Sequence, residues 1–275
     1  MHALIDGDVL TYKCGFAAEK SVWLAPSGQV FDNPTHAKKN GVAKEDLERI
    51  VDAEPVENAI HNVKQAVGRC VEDTQADALT ICLSGDSNFR EDIAVVRPYK
   101  GNRDPDHKPF HYDAIREYLS TQYPSVITEN EEADDFMGYQ QYNKDKYDDT
   151  VICTIDKDLD MIPGHHYNLN TEELYFIDPW EADKVFYRQM LTGDATDNIV
   201  GVPGVGKVGA KKIVPESLEP KMRCAATQAI EEAYQRAYAD DKRGWRHVLL
   251  EMGQLLWIRR EPNQFWEPWM ESKSA

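Results

Sequence analysis

The chain has 275 residues, 41% of them hydrophobic, which is enough for one large domain or a core with a smaller module. Its 48 acidic residues outnumber 31 basic ones, and the net charge of −17 excludes broad electrostatic attraction to nucleic acid or anionic membranes, leaving only local basic patches for such contacts. No stretch has the apolar length of a membrane span and the N-terminus lacks a signal-peptide pattern, so a cytoplasmic protein with no membrane partner is expected.

A buried strand is expected at Ala3–Ile5, almost at the start. A hairpin follows, with 22–24 and 29–31 flanking Pro26-Ser27-Gly28, and 32–45 reads as a loop. In 55–74, Val56, Ile60, Val63, Val67 and Val71 recur at helical spacing on one face. Further strands are expected at 78–83, 125–128 and 150–155, with a helix over 109–122 carrying Phe110, Ile115 and Leu119. A second hairpin joins 167–169 to 174–176, and His165-His166 reads as a loop pair. After Asp178-Pro179 the pattern becomes helical, at 182–191, 218–238 and 244–258, with a Gly-rich turn at 201–209. Strands alternating with helices predict an α/β fold with a mostly parallel central sheet flanked by helices, and a helical C-terminal part. The five cysteines (Cys14, Cys70, Cys82, Cys153 and Cys224) are scattered and form no CxxC pair, as expected of reduced thiols.

Acidic residues follow each predicted strand. Asp6 and Asp8 follow the first, Asp86 the second, Glu131, Glu132, Asp134 and Asp135 the third, and Asp156 and Asp158 the fourth. In an open parallel sheet these carboxyl ends share one edge, where ligands bind. Asp194 and Asp197, at i,i+3, form a fifth cluster. Any one of these acids would serve as a helix cap or a solvated turn residue. Together they repel one another unless cations intervene, and all-oxygen donors suit Mg²⁺ or Mn²⁺ better than zinc. Two such ions about 3.5–4 Å apart serve phosphodiester cleavage.

Arg90, Arg97, Lys100, Arg103 and Lys108 cluster in one segment, with Tyr99 beside Lys100. They suit a scissile phosphate with a stacking tyrosine; a solvated loop is the alternative, since Glu91, Asp92, Asp104 and Asp106 share the segment. The turn containing Gly204 and Gly206, followed by Lys207, Lys211 and Lys212, suits phosphate at a helix start or a plain helix connection. It does not match a P-loop.

In this order, Asp6-Gly7-Asp8, Arg97-Pro98-Tyr99-Lys100-Gly101-Asn102-Arg103, Glu132-Ala133-Asp134-Asp135, Asp156-Lys157-Asp158 and 192–199 with 201–206 resemble the 5′-nuclease superfamily, most of all its stand-alone bacteriophage 5′–3′ exonucleases. The resemblance implies a PIN-like 5′-nuclease core over 1–179, with a helical arch near 90–122, and a helix–hairpin–helix DNA-binding region over 180–275. It implies a first metal site at Asp6, Asp86, Glu132, Asp134 and Asp135, with Asp156 nearest both metals and Asp158, Asp194 and Asp197 at the second. Lys100 and Arg103 would contact the scissile phosphate, and K⁺ would sit at the 201–206 turn. A monomer acting on DNA with a 5′ end, flap or nick, or on an RNA–DNA hybrid, is implied, in the bacterial host cytoplasm if phage-encoded. Asp8 and the 16–45 insertion receive no role. The competing readings are a PIN-type ribonuclease and a catalytically weak DNA-binding protein.

Overall fold

The computed structural model describes residues 1–103, 107–142 and 149–268. Strand β1 (His2–Asp6) runs directly into helix α1 (Gly7–Ala17), which Asp6 caps by accepting from Val9 N at 2.9 Å. Next come β2 (Glu19–Leu24), β3 (Val30–Phe31), α2 (Pro34–Lys39), β4 (Glu48–Ala53), α3 (Val56–Thr74), β5 (Ala78–Leu83) and the short α4 (Phe89–Ile93). Then follow α5 (Tyr112–Gln122), β6 (Ser125–Ile127), α6 (Ala133–Gln141), β7 (Thr150–Thr154), β8 (Gly164–Asn168), β9 (Glu173–Ile177) and α7 (Pro179–Thr192). A two-stranded hairpin, β10 (Gly193–Asp194) and β11 (Ile199–Val200), leads to α8 (Lys207–Ile213), α9 (Arg223–Ala237) and α10 (Trp245–Leu256).

The main sheet has strand order β6-β5-β1-β7-β8-β9; β9 alone is antiparallel to its neighbour. Alternating side chains serve its two faces. Ala3, Ile5, Ile81, Val151 and Cys153 pack on one side with Leu10, Val63, Val67, Ile115 and Leu119 from α1, α3 and α5. Leu4, Cys82 and Ile152 pack on the other with Met137, Phe186, Met190, Tyr234, Val248 and Met252. The second cluster runs unbroken from the sheet into α7, α9 and α10, so residues after 179 add a layer to the same core. All five cysteines are free. No helix among the described residues is long and apolar enough to cross a membrane.

Several local expectations need correction. The 22–31 hairpin forms as β2–β3, but the expected 32–45 loop holds α2, and the insertion extends through β4, giving a separate sheet of order β3-β2-β4 over a small core of Ala25, Phe31 and Ala37. On α3 the buried line is Ala59, Val63, Val67 and Cys70; small residues let the helix approach the sheet there, so Val56, Ile60 and Val71 flank the contact. Phe110 lies outside α5 and is exposed. His165 and His166 belong to β8, and a ring nitrogen of buried His166 lies 2.8 Å from Ile162 O. Among the described residues of the expected arch, helix is confined to α4 and α5 at its two ends; Asp104 and Asp106 fall outside the described residues.

Two expected site residues are structural. Arg90 is 2% exposed, too deeply buried to meet DNA. Its guanidinium donates to both oxygens of Asp135 (2.6 and 2.9 Å), to Leu255 O (2.9 Å) and to Trp257 O (2.7 Å). Asp135, fully buried, also accepts from Arg259 N at 3.1 Å and Glu132 N at 3.2 Å. With both oxygens so engaged, it is not free to ligate a metal. Burial alone would raise its pKa, but the Arg90 charge and hydrogen bonds outweigh it and hold the carboxyl below its usual range.

Replacing Arg90 with Met should therefore destabilise the protein by ~3–5 kcal/mol at neutral pH in urea unfolding, because it strands a buried charge. Since the folded pKa of Asp135 is depressed, the pair's contribution is full above the ordinary carboxylate pKa and is lost as pH falls through the folded value. A variant as stable as the parent at neutral pH would contradict this role.

Candidate active site

The parallel strands end along one edge, where a cleft of ≈ 510 Å³ opens; Asp6, Glu132, Asp134 and Asp156 line it together with Lys100 and Arg103. Asp6, at the end of β1, is 3% exposed and accepts from Thr154 Oγ1 at 2.7 Å, which fixes it beside the end of β7. Glu132 and Asp134 sit at the start of α6. Asp156 follows β7, and its Oδ1 accepts from Asp158 N at 2.9 Å. The sharp bend of the β10–β11 hairpin presents Asp194 and Asp197. Gly193 (φ 67°) and Gly201 lie so close that a Cβ on either would fall 2.3 Å from the other's amide nitrogen. The i,i+3 pair is thus carried by a hairpin and not a helical turn; Asp194 Oδ1 accepts from Thr196 N at 2.6 Å.

The electrostatics are those of crowded carboxylates. Burial, then the Asp8 and Asp156 charges, push Asp6 up to about 7 despite hydrogen bonds from Val9 and Thr154. Asp134 is raised by burial, then by Asp6, Asp156 and Glu132. Asp156 is raised by burial and by Asp197 and Asp194. Asp158 is pushed up to about 8 by burial, then by the Asp156 charge and its contacts with Asp194. Glu132 departs from the rest: burial opposes its charge, but Lys100 and Arg90 overcome that and its pKa falls.

Among the described residues no group of three or more His, Cys, Asp or Glu side chains is disposed to hold a metal ion as it stands. Glu132 and Asp197 are instead engaged by cationic side chains. The remaining donor chemistry does fit hard cations, because all-oxygen groups whose acidity is suppressed by burial and then by mutual repulsion gain most from added positive charge. Asp86 is not drawn in: it is exposed and does not line the cleft. The turn after β5 is held through Ser84, whose N donates to Asp8 Oδ2 (2.9 Å) and whose Oγ accepts from Ala133 N (3.0 Å).

The basic segment is stitched to the hairpin. Lys100 N donates to Asp197 O (2.9 Å), Asn102 Nδ2 to Ala195 O (2.7 Å) and Asn198 Nδ2 to Pro98 O (2.9 Å). Lys100 adopts a left-handed backbone (φ 54°), a strained conformation that these bonds hold. Its ammonium pairs with Glu132, and Arg103 pairs with Asp197. Tyr99, expected to stack on a base, is buried instead, and its hydroxyl lies 2.8 Å from both Glu132 Oε2 and Asp197 Oδ2. Arg97 is exposed and lines a second cleft of ≈ 670 Å³ shared with Asn102 and the 201–206 turn. Gly204 (φ 81°) and Gly206 lie in that exposed turn, with exposed Lys207 and Lys212 following. Lys211 pairs with Glu216 at 3.1 Å.

Sequence reading missed the wall facing the acids. Tyr12, Lys13 and Phe16 of α1 and Tyr112 and Arg116 of α5 line the cleft. Arg116 pairs with Asp8 and donates to Ser84 O at 2.6 Å, which gives Asp8 a structural task. The helical spacing of Val9, Tyr12, Lys13 and Phe16 after Asp6 was the available signal.

No family model matches the chain. A DNA polymerase I of Rhizobium leguminosarum is 30% identical over 141 residues, covering 46% of this chain and 14% of that protein. Another, from Caldicellulosiruptor bescii, is 30% identical over 181 residues, covering 58% and 21%. A 5′-3′ exonuclease of Streptomyces coelicolor is 25% identical over 194 residues, covering 60% of this chain and 64% of that one. The chain therefore spans about a fifth or less of these polymerases' lengths and under two thirds of the exonuclease. A phage T5 protein co-crystallised with metal ions superposes with a TM-score of 0.57 at 18% identity, covering 93% of this chain and 88% of that one. The T5 flap endonuclease in a complex with DNA and metal ions gives 0.53 at 15% identity, covering 93% and 98%. The fold is shared, and the resemblance to the 5′-nuclease superfamily is borne out.

Because folded Asp6 and Asp158 keep protons that the unfolded chain releases near its ordinary carboxylate pKa, the metal-free fold should lose stability as pH rises from that value through about 7 to 8. Mg²⁺ should then raise the thermal midpoint more at about pH 8 than at about pH 5, in melts compared with EDTA. An equal Mg²⁺ effect at both pH values would contradict the assignment.

Proposed function

With the 5′-nuclease superfamily as the premise, we propose that this chain is a metal-dependent phosphodiesterase that hydrolyses DNA from or near free 5′ ends, as a 5′–3′ exonuclease and flap endonuclease. The observation that carries this reading is the gathering of carboxylates from three strand ends into one cleft, faced by Lys100 and Arg103. Asp6, Glu132, Asp134 and Asp156 would hold one divalent cation, and Asp158, Asp194 and Asp197, with Asp156 between, a second. Bound there, Mg²⁺ or Mn²⁺ supplies a Lewis acid and a water of lowered pKa.

The protein's own groups do the rest. Lys100 and Arg103 are held by Glu132 and Asp197, so an incoming phosphate competes for donors that are already aimed into the cleft. Tyr99 orients both acids from below, in place of a stacking role. The products on this reading are a 5′-phosphate and a 3′-hydroxyl. Duplex DNA would lie along Arg97, the 201–206 turn and Lys207, Lys211 and Lys212, as a helix–hairpin–helix element does, with K⁺ at the turn carbonyls. The chain would act as a monomer, and RNA–DNA hybrids are included among its substrates.

Asp156→Asn should lower cleavage of a labelled 5′-flap duplex by on the order of 10²-fold or more, with DNA binding retained, and EDTA should abolish cleavage by the parent protein. Undiminished turnover of the variant would sink the metal assignment. Lys207→Ala with Lys212→Ala should weaken duplex binding and flatten the log K against log salt slope by about 2 × 0.9. A slope identical to the parent's would take α8 out of the DNA interface.

A further inference from the structure

The small β3-β2-β4 sheet makes a set of bonds that the site described so far does not use. Between the described end of the basic segment and α5, residues 107–111 form neither helix nor strand. Three of their polar groups find partners on the insertion. Lys108 O accepts from Arg49 Nη1 at 3.0 Å, Phe110 N donates to Glu19 Oε2 at 2.7 Å, and a His111 ring nitrogen lies 2.6 Å from Glu54 O. Glu19 and Arg49 pair across the β2–β4 ladder, and the Glu19 side chain is 2% exposed. Arg49 Nε also donates to Ser21 Oγ at 3.1 Å. One carboxylate and one guanidinium thus hold each other and the passing chain.

Packing reinforces the same place. Pro109 is buried against Gly15 of α1, where a Cβ would come within 2.6 Å of the proline ring. His107 packs on Phe16 at 5.2 Å, and the Arg49 guanidinium lies 5.6 Å over that same ring. Phe16, Tyr112 and Arg116 line the carboxylate cleft, so what fixes 107–111 also fixes that wall. The opposite foot, 98–102, is fixed by the bonds to Ala195, Asp197 and Asn198.

We infer that Glu19 and Arg49 are positioning residues: through them the 19–53 insertion anchors the second foot of the basic segment and sets where the α1–α5 wall stands opposite the acids. This rests on the reading of the cleft as a nuclease site. A buried carboxylate and a planar guanidinium donating in several directions suit this task, and Lys at 49 would keep the charge but lose most of the directed bonds.

The test uses the full chain with Arg49→Ala, Arg49→Lys and Glu19→Gln. Amide exchange in 107–111 should speed up in all three, with Phe110 most affected in Glu19→Gln. On a free 5′-flap duplex with Mg²⁺, kcat should fall on the order of 10- to 100-fold for Arg49→Ala while KM stays within about twofold, and Arg49→Lys should recover part of the loss. Unchanged exchange in 107–111 in all three variants overturns the anchor. Faster exchange with parental kcat overturns the positioning role. A parent protein that cuts nothing defeats the nuclease reading instead, while the exchange data still decide whether the anchor exists.

Discussion

The crowding of carboxylates at one edge of the sheet is the constraint around which this molecule is arranged. Asp6 is buried and Asp134 and Asp158 are half-buried, and burial together with neighbouring carboxylate charges makes these acids, and Asp156 at the cleft, harder to ionise. A fold tolerates such a cluster only where its scaffold is rigid. Here that scaffold is a parallel sheet with both faces covered, and side chains such as Thr154 bind the acids at fixed places. On the proposed reading, the same repulsion would make the site receptive to hard cations and, through them, to phosphate.

Compensation is partitioned along the edge. Arg90 neutralises Asp135 inside the core, and the pair becomes part of the scaffold. Lys100 and Arg103 neutralise Glu132 and Asp197 from the open side, where on the proposed reading a substrate phosphate would compete for them. Arg116 neutralises Asp8 and ties it to the turn after β5. Among the described residues, no basic side chain is bonded to Asp6 or Asp134. This gradient from paired to unpaired explains how a chain of net charge −17 can still offer a local site for an anion.

The sequence made the frame legible because two periodic signals coincide. Short apolar runs mark strands buried on both faces, and acids within a few residues of the end of each run point to the carboxyl edge. Spacing also drew attention to Asp194 and Asp197, but not to the hairpin that carries them, which depends on the close approach of Gly193 and Gly201. What it could not show was which acid meets which base. Asp134 and Asp135 are adjacent, but on α6 they point in different directions, and only the three-dimensional placement of α4 brings Arg90 to the second. Asp86 follows a strand as the others do, yet its turn is bonded through Ser84 and leaves it in solvent. The insertion was opaque for a similar reason: β4 lies 24 residues after β2 ends, and Glu19 and Arg49 become partners only when the ladder forms.

The most direct test of the central claim is to locate bound metal. Crystals grown with Mn²⁺ should show two anomalous peaks in the cleft, one among Asp6, Asp134 and Asp156 and one among Asp156, Asp158, Asp194 and Asp197. Data from crystals with Mn²⁺ at saturating concentration and no peak at these carboxylates would contradict the account, as would manganese bound only elsewhere on the chain.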